Sequence, residues 1–236
     1  NGYGHRTAYM WEGNEPGDSC SISYQELLDK VITFSAVLRS HGVKKGDVVA
    51  IYLPMILELP IAMLACARIG AVHSVVFAGY SADALATRIM QAKCGVLITA
   101  DIYFRGKKLI PIKAVANQAL NICATKGDCV KTVIVVRHGH RVRRPNGNVI
   151  PEVFINPKTD VFWDEELLRC AGVESLVEWC ESEDPLFILY TSGSTGKPKG
   201  LVHSTTGYMV YAYATTKYIF DAHNTDVYWC TADCGW

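Results

Sequence analysis

No excess of either charge marks this 236-residue sequence: 23 Lys and Arg balance 23 Asp and Glu, a formal net charge of zero. That balance leaves no electrostatic footprint for nucleic acid or an anionic membrane surface, so neither is expected as a partner. No apolar run approaches the roughly 18 to 20 residues that crossing a bilayer needs. The nine cysteines (20, 66, 94, 123, 129, 170, 180, 230, 234) include no C-x-x-C, and their number is odd. A disulfide framework is therefore not expected. Several cysteines sit in apolar segments, as Cys66 does in Met63-Leu-Ala-Cys-Ala67. Reduced thiols in an intracellular, cytoplasmic protein are the expectation, with nucleus and mitochondrion left open. Cys230-x-x-x-Cys234 and His138-x-His140 each lack a second ligand pair, so no metal site is expected within these residues. Internal repeats, low-complexity stretches and a Ser/His or Cys/His dyad are also lacking.

What is there is an ordinary globular composition, 50 % hydrophobic and 19 % charged, in a chain long enough to bury a substantial core. Thr7–Trp11 and Ser21–Tyr24 flank a turn and predict a hairpin. Ser23-x-x-Glu26 is a capping box opening a helix with apolar positions at Leu27, Leu28, Val31, Ile32, Phe34 and Leu38, closed by Gly42. Strands are then expected over 47–52, 72–77, 96–99 and 132–136, with helices over 56–69, 82–91 and 112–125 between them. Such alternation predicts βαβ units: an α/β fold with a doubly wound, mostly parallel sheet and flanking helices. Residues 138–160 break the rhythm and read as a long loop or insertion; within them the basic cluster Arg137–Arg144 reads as a solvated loop. A weak helix over 163–180, a tyrosine-rich helix over 206–220 and a last strand over 226–230 complete the expectation.

The residues richest in chemistry are Tyr190-Thr-Ser-Gly-Ser-Thr-Gly-Lys-Pro-Lys-Gly200, led in by the apolar strand Leu186–Tyr190. Glycines let a backbone fold over a ligand, and N–H groups, hydroxyls and lysines together suit a polyphosphate. The spacing is not that of a Walker A loop, which needs Gly where Thr191 stands and Ser or Thr where Pro198 stands. Nor is there a G-x-S-x-G nucleophile elbow. A flexible Gly/Ser linker is the plain alternative, but a linker seldom follows an apolar strand or carries two lysines around a proline.

This loop resembles, nearly letter for letter, the phosphate-binding loop of the adenylate-forming superfamily. Trp11-Glu-Gly-Asn-Glu-Pro-Gly17, Met63–Ala71, His73-Ser-Val-Val-Phe-Ala-Gly79 and Trp229–Trp236 each look like the acetyl-CoA synthetase branch, the AMP-forming acetate–CoA ligases. The resemblance runs from Asn1 to Trp236 and weakens across about 138–183. It implies acetate, ATP with Mg²⁺ and CoA as small-molecule substrates, giving acetyl-CoA, AMP and pyrophosphate through acetyl-AMP. Propionate- or acetoacetate-activating relatives remain alternatives, as does a non-catalytic nucleotide-binding module.

By the same resemblance, Thr191, Ser192, Gly193, Ser194, Thr195, Gly196, Lys197 and Lys199 would hold the ATP phosphates, with Lys199 and Thr191 the catalytic pair. Arg105, Gly106, Lys107 and Lys108 would face the 3′-phosphate of CoA, with an exposed basic turn as the alternative. Lys108 stands where many members carry a second Arg, so a forked contact becomes a point contact. Phe77 and Gly79 would flank the pantetheine, and Ala78 replaces a frequent Gly; Phe77 reads equally as core. Trp236 would wall the acyl pocket or pack the core, and His203 reads as structural. Residues 1–236 would be part of the large N-terminal adenylation domain, with the adenine and Mg²⁺ segment and the C-terminal domain expected beyond Trp236.

Overall fold

The computed structural model describes residues 2–127, 130–143, 149–191 and 198–235. The chain opens with an antiparallel hairpin, β1 (Thr7–Glu12) and β2 (Ser19–Ser23). Helix α1 (Tyr24–Ser40) starts from the capping box: Glu26 N donates to Ser23 Oγ at 3.2 Å, and Ser23 N to Glu26 Oε2 at 2.8 Å. Its inner face buries Leu27, Val31, Phe34 and Leu38, whereas Leu28 is exposed.

Three βαβ-type steps follow: β3 (Val48–Tyr52), α2 (Glu58–Arg68), β4 (Val72–Val75), α3 (Ala82–Ala92), β5 (Val96–Ala100), α4 (Ile112–Thr125) and β8 (Thr132–Val136). Between β5 and α4 a small antiparallel hairpin is inserted, β6 (Tyr103–Arg105) and β7 (Lys108–Ile110). Pro60 falls in the first turn of α2, where its missing N–H removes no helical bond. Ser81 caps α3, accepting from Ala84 N at 3.3 Å. β9 (Asp160–Phe162), α5 (Trp163–Arg169), β10 (Pro185–Thr191), β11 (Lys199–Ser204) and α6 (Thr205–Ala214) complete the order, with a π-helical turn over Thr215–Ile219.

Seven strands form one sheet in the order β11-β10-β4-β3-β5-β8-β9. All adjacent pairs are parallel except β10 with β11. The Val/Ile-rich strands β5 and β8 are buried along their whole length, as a sheet covered on both faces requires. Helices α1, α2 and α5 pack together, and α3 packs with α4. The fold is thus a doubly wound, mostly parallel α/β sheet. The chain steps from β3 to β4 on one side and then returns to place β5 on the other, so the strand order reverses at β3/β5. In such sheets the crevice for ligands opens beyond the carboxyl ends at that reversal.

Several expectations are corrected. The described residues of 138–159 are irregular as expected, but they lead into β9, which the sequence does not announce because three residues are too few to show a period. Arg141 and Arg143 are exposed, as a solvated loop implies, yet paired: Arg137 meets Asp164 at 2.7 Å, Arg141 meets Glu58 at 2.6 Å and Arg143 meets Asp18 at 3.4 Å. The helix expected over 163–180 stops at Arg169. No strand forms over 226–230, where Val227, Tyr228 and Trp229 are exposed and no neighbouring strand supplies a ladder. Leu186–Leu189 are half-buried rather than core, with Tyr190 the buried residue of β10.

Candidate functional site

The glycine-rich loop turns out to be the connection of the edge hairpin, not a strand-to-helix turn. Thr191 and Lys199 are Cα partners closing β10 against β11, and both are exposed at the hairpin's mouth. Gly200 fits closely there: a Cβ would lie 3.1 Å from Ile188 Cγ2 and 3.2 Å from the Tyr190 ring, so those side chains would have to give by a few tenths of an ångström. Ser192, Gly193, Ser194, Thr195, Gly196 and Lys197 lie outside the described residues, as does Trp236. Because β10 runs parallel to β4, the mouth opens on the same sheet edge as the segment following β4.

That segment, 76–80, makes a turn closed by Tyr80 N donating to Phe77 O at 3.0 Å. Phe77 is half-buried and its ring meets Tyr80 edge-on, with centroids 5.4 Å apart. Gly79 is needed for close approach rather than for its dihedrals, since a Cβ would fall 2.4 Å from the Phe77 ring. The buried Tyr52 hydroxyl lies 2.7 Å from Tyr80 O and 3.1 Å from Ala78 O, fixing the turn from below. Burial pushes the Tyr52 pKa up, so the phenol keeps its proton at neutral pH. Tyr103 Oη adds a bond to Ala78 O at 3.4 Å.

Arg105, Gly106, Lys107 and Lys108 form the exposed tip of the β6–β7 hairpin, immediately past β5 at the strand-order reversal. Gly106 has φ +58°, the left-handed start that a two-residue turn of this kind demands. Arg105 stands directly opposite Lys108. Like charges facing each other across a hairpin destabilise it, so this pair is unfavourable unless an anion sits between them. Gly106 O is held by Asn14 Nδ2 at 2.9 Å, tying the tip to the turn between β1 and β2.

The chain's final described residues close over the same area. A Cβ on Gly235 would lie 2.4 Å from Phe77 N, so the segment 233–235 rests on the 76–80 turn. Gly235 N donates to Asp233 Oδ1 at 2.7 Å, and burial raises the Asp233 pKa despite that bond. Burial also raises the Tyr103 pKa, which the Arg105 charge opposes and the Asp233 charge reinforces.

Phe77, Gly79, Arg105, Gly106, Lys107 and Lys108 are thus gathered at one edge, with Thr191 and Lys199 along it. The tip follows β5 and the mouth follows β10, three strand spacings apart, or about 14 Å. His203 is not among them: its ring stacks on Phe187 at 4.4 Å, which stacks in turn on His73 at 5.4 Å. The supporting residues Asn14, Tyr52 and Tyr103 carried no sequence signal of their own. Among the described residues no three His, Cys, Asp or Glu side chains cluster as metal ligands, and no helix is long and apolar enough to cross a membrane.

A doubly wound sheet with a glycine-rich, lysine-bearing hairpin at its carboxyl edge defines the α/β class of this protein. The family model of the AMP-binding enzymes matches residues 1–236, and the chain belongs to that family. It is 52 % identical to an acetyl-coenzyme A synthetase of Drosophila melanogaster over 239 residues, covering 100 % of this chain and 35 % of that protein. An acetyl-coenzyme A synthetase of Arabidopsis thaliana, chloroplastic/glyoxysomal, is 51 % identical over 235 residues, covering 100 % of this chain and 31 % of that protein. Among solved structures, acetoacetyl-CoA synthetase from Streptomyces lividans superposes with a TM-score of 0.76 at 25 % identity, over 94 % of this chain and 31 % of that one. The chain spans about a third of the length of the curated relatives it matches.

Proposed function

We propose that this chain is part of the large adenylation domain of an acetate–CoA ligase. The acetate carboxylate attacks the α-phosphorus of MgATP, forming a P–O bond to acetyl-AMP as pyrophosphate departs. The CoA thiolate then attacks the acetyl carbonyl, forming the thioester as AMP departs. No enzyme nucleophile enters either step, so the protein's task is positioning and stabilisation of phosphate charge. Lys199 and Thr191, with Ser192 to Lys197, hold the ATP phosphates and act on the first half-reaction. Arg105, Gly106, Lys107 and Lys108 receive the 3′-phosphate of CoA, while Phe77 and Gly79 flank the pantetheine arm. Trp236 contributes to the acyl pocket.

The observation that carries this reading is the pairing of two cationic segments on one sheet edge, past strands β10 and β5, which lie about 14 Å apart in the sheet. One is the glycine hairpin and the other is the like-charged Arg105/Lys108 tip. An extended substrate with a phosphate at its far end can lie between them. The identity to acetyl-coenzyme A synthetases over the whole chain supports acetate as the acid. A cytoplasmic, reducing setting is part of the reading; Cys20, Cys66, Cys94, Cys170, Cys180, Cys230 and Cys234 are free thiols.

The test is pyrophosphate–ATP exchange by the intact enzyme with acetate, propionate or acetoacetate as the acid. Exchange fastest with acetate supports the proposal. Exchange only with acetoacetate transfers it to the activity named for the Streptomyces protein, and exchange with none of the three supports a non-catalytic nucleotide-binding module.

A further inference from the structure

Behind the candidate site lies a buried cation that no acid meets among the described residues. Arg88, on α3, is only 6 % exposed. Its guanidinium carbon lies 4.5 Å from the centroid of the Tyr80 ring and 5.2 Å from that of Tyr190. One N–H donates to Ala84 O at 2.8 Å, within its own helix. Among the described residues no Asp or Glu forms an ion pair with it. In return, Tyr190 Oη donates to Arg88 O at 3.4 Å.

Burying a charge without a counter-charge is unfavourable, and an apolar side chain would fill the same volume at less cost. What an arginine offers here is a flat cation that stacks on aromatic faces, which neither leucine nor the compact ammonium of lysine reproduces. The two rings it touches are placed tellingly. Tyr80 ends the turn that carries Phe77 and Gly79, and its carbonyl accepts from Tyr52. Tyr190 immediately precedes Thr191, where the glycine hairpin opens.

We propose that Arg88 is a positioning residue that clamps Tyr80 and Tyr190 together, so that the 76–80 turn and the mouth of the β10–β11 hairpin are held as one unit. Arg88 itself touches no substrate. The geometric part stands on the contacts alone; the kinetic part rests on the reading of the two loops as CoA- and ATP-facing.

Amide hydrogen exchange on the intact protein tests the geometric part. In Arg88→Met, amides over 77–81 and over 188–191 and 199–202 are expected to exchange together, about ten-fold faster or more, while β5 and β8 keep their protection. Arg88→Lys restores part of that protection. Loss of protection in one segment only, in neither, or evenly across the sheet overturns the clamp. Should Arg88→Met not fold, Tyr80→Leu serves instead. Removing that ring is expected to loosen 188–191 as well, and loosening confined to 77–81 refutes the coupling. Kinetically, Arg88→Met should raise the KM for ATP in pyrophosphate exchange and the KM for CoA in the full reaction, each about five-fold or more, with the KM for acetate within about two-fold. Unchanged KM values beside a lowered melting temperature reduce Arg88 to core packing. If the two segments loosen together but the wild type shows no acid-dependent exchange, the clamp stands and the functional reading fails.

Discussion

Lys113 is a lysine with no solvent exposure, and its ammonium lies 2.7 Å from the equally buried carboxylate of Asp160. It also donates to Asn117 Oδ1 and approaches Phe154 O at 3.5 Å, so the pair is enclosed by hydrogen-bonding partners. It joins α4 to β9, the strand that carries no periodic signal. Lys113→Met should cost about 3–5 kcal/mol, because it leaves Asp160 buried without its partner. Lys113→Met combined with Asp160→Leu should recover most of that loss, and urea unfolding of both variants measures it. Lys199 is the opposite case: exposed at the hairpin mouth, and on the proposed reading there for a ligand rather than for the fold. Lys199→Ala should leave stability nearly unchanged but slow acetate-dependent pyrophosphate exchange by about 2–4 kcal/mol of transition-state stabilisation. Exchange at the wild-type rate would remove Lys199 from the catalytic machinery.

Among the elements, the β6–β7 hairpin makes the sharpest claim. Its tip carries two like charges in register, a cost the fold bears for a phosphate dianion on the proposed reading. Arg105→Ala should raise the KM for CoA about ten-fold, near 1.4 kcal/mol, while affecting dephospho-CoA far less. Equal losses with both thiols would return the tip to an ordinary basic turn. This hairpin also marks where the sequence stops being readable. Helices α1, α3 and α4 and the central strands announce themselves through capping residues and apolar period. Strands of three residues, such as β6, β7 and β9, contain too little pattern to register. The opposite error occurs over 226–230, where β-branched and aromatic residues suggest a strand but no neighbour pairs with it. At the site, Arg105 and Lys199 are legible as charges beside glycines. Tyr52, Tyr103 and Asn14 are not, because their roles exist only once distant segments meet.

For the molecule as a whole, acid is the condition that separates its supports. Burial pushes the His73 pKa down to about 4, so the folded state binds the neutral ring and the unfolded state takes the proton first. Stability from this group is complete above about pH 6.5 and is lost as pH falls toward 4, by about 3 kcal/mol. His138 adds in the same direction, lowered by burial and by Arg141. Glu166 is also held low, since bonds from Arg169 and His41 outweigh its burial. As a carboxylate with a depressed pKa, it is stabilising above its unfolded value and loses that contribution only at lower pH. Denaturation midpoints should therefore decline in two stages, and His73→Phe, which keeps the stack on Phe187, should flatten the first. The sheet order carries a kinetic consequence too. Val48 pairs with Val72, two dozen or so positions away, whereas β10 finds β4 through Phe187 and His73, about a hundred positions apart. Closing the long loop has an entropic cost that the short ones do not. As the chain emerges during synthesis, β3, β4 and β5 can assemble before β10 exists. The β10–β11 hairpin then docks onto a finished scaffold, and pulse-labelled exchange should find 188–191 and 199–204 protected last. In that order of assembly, the candidate site takes shape only after the central strands are in place.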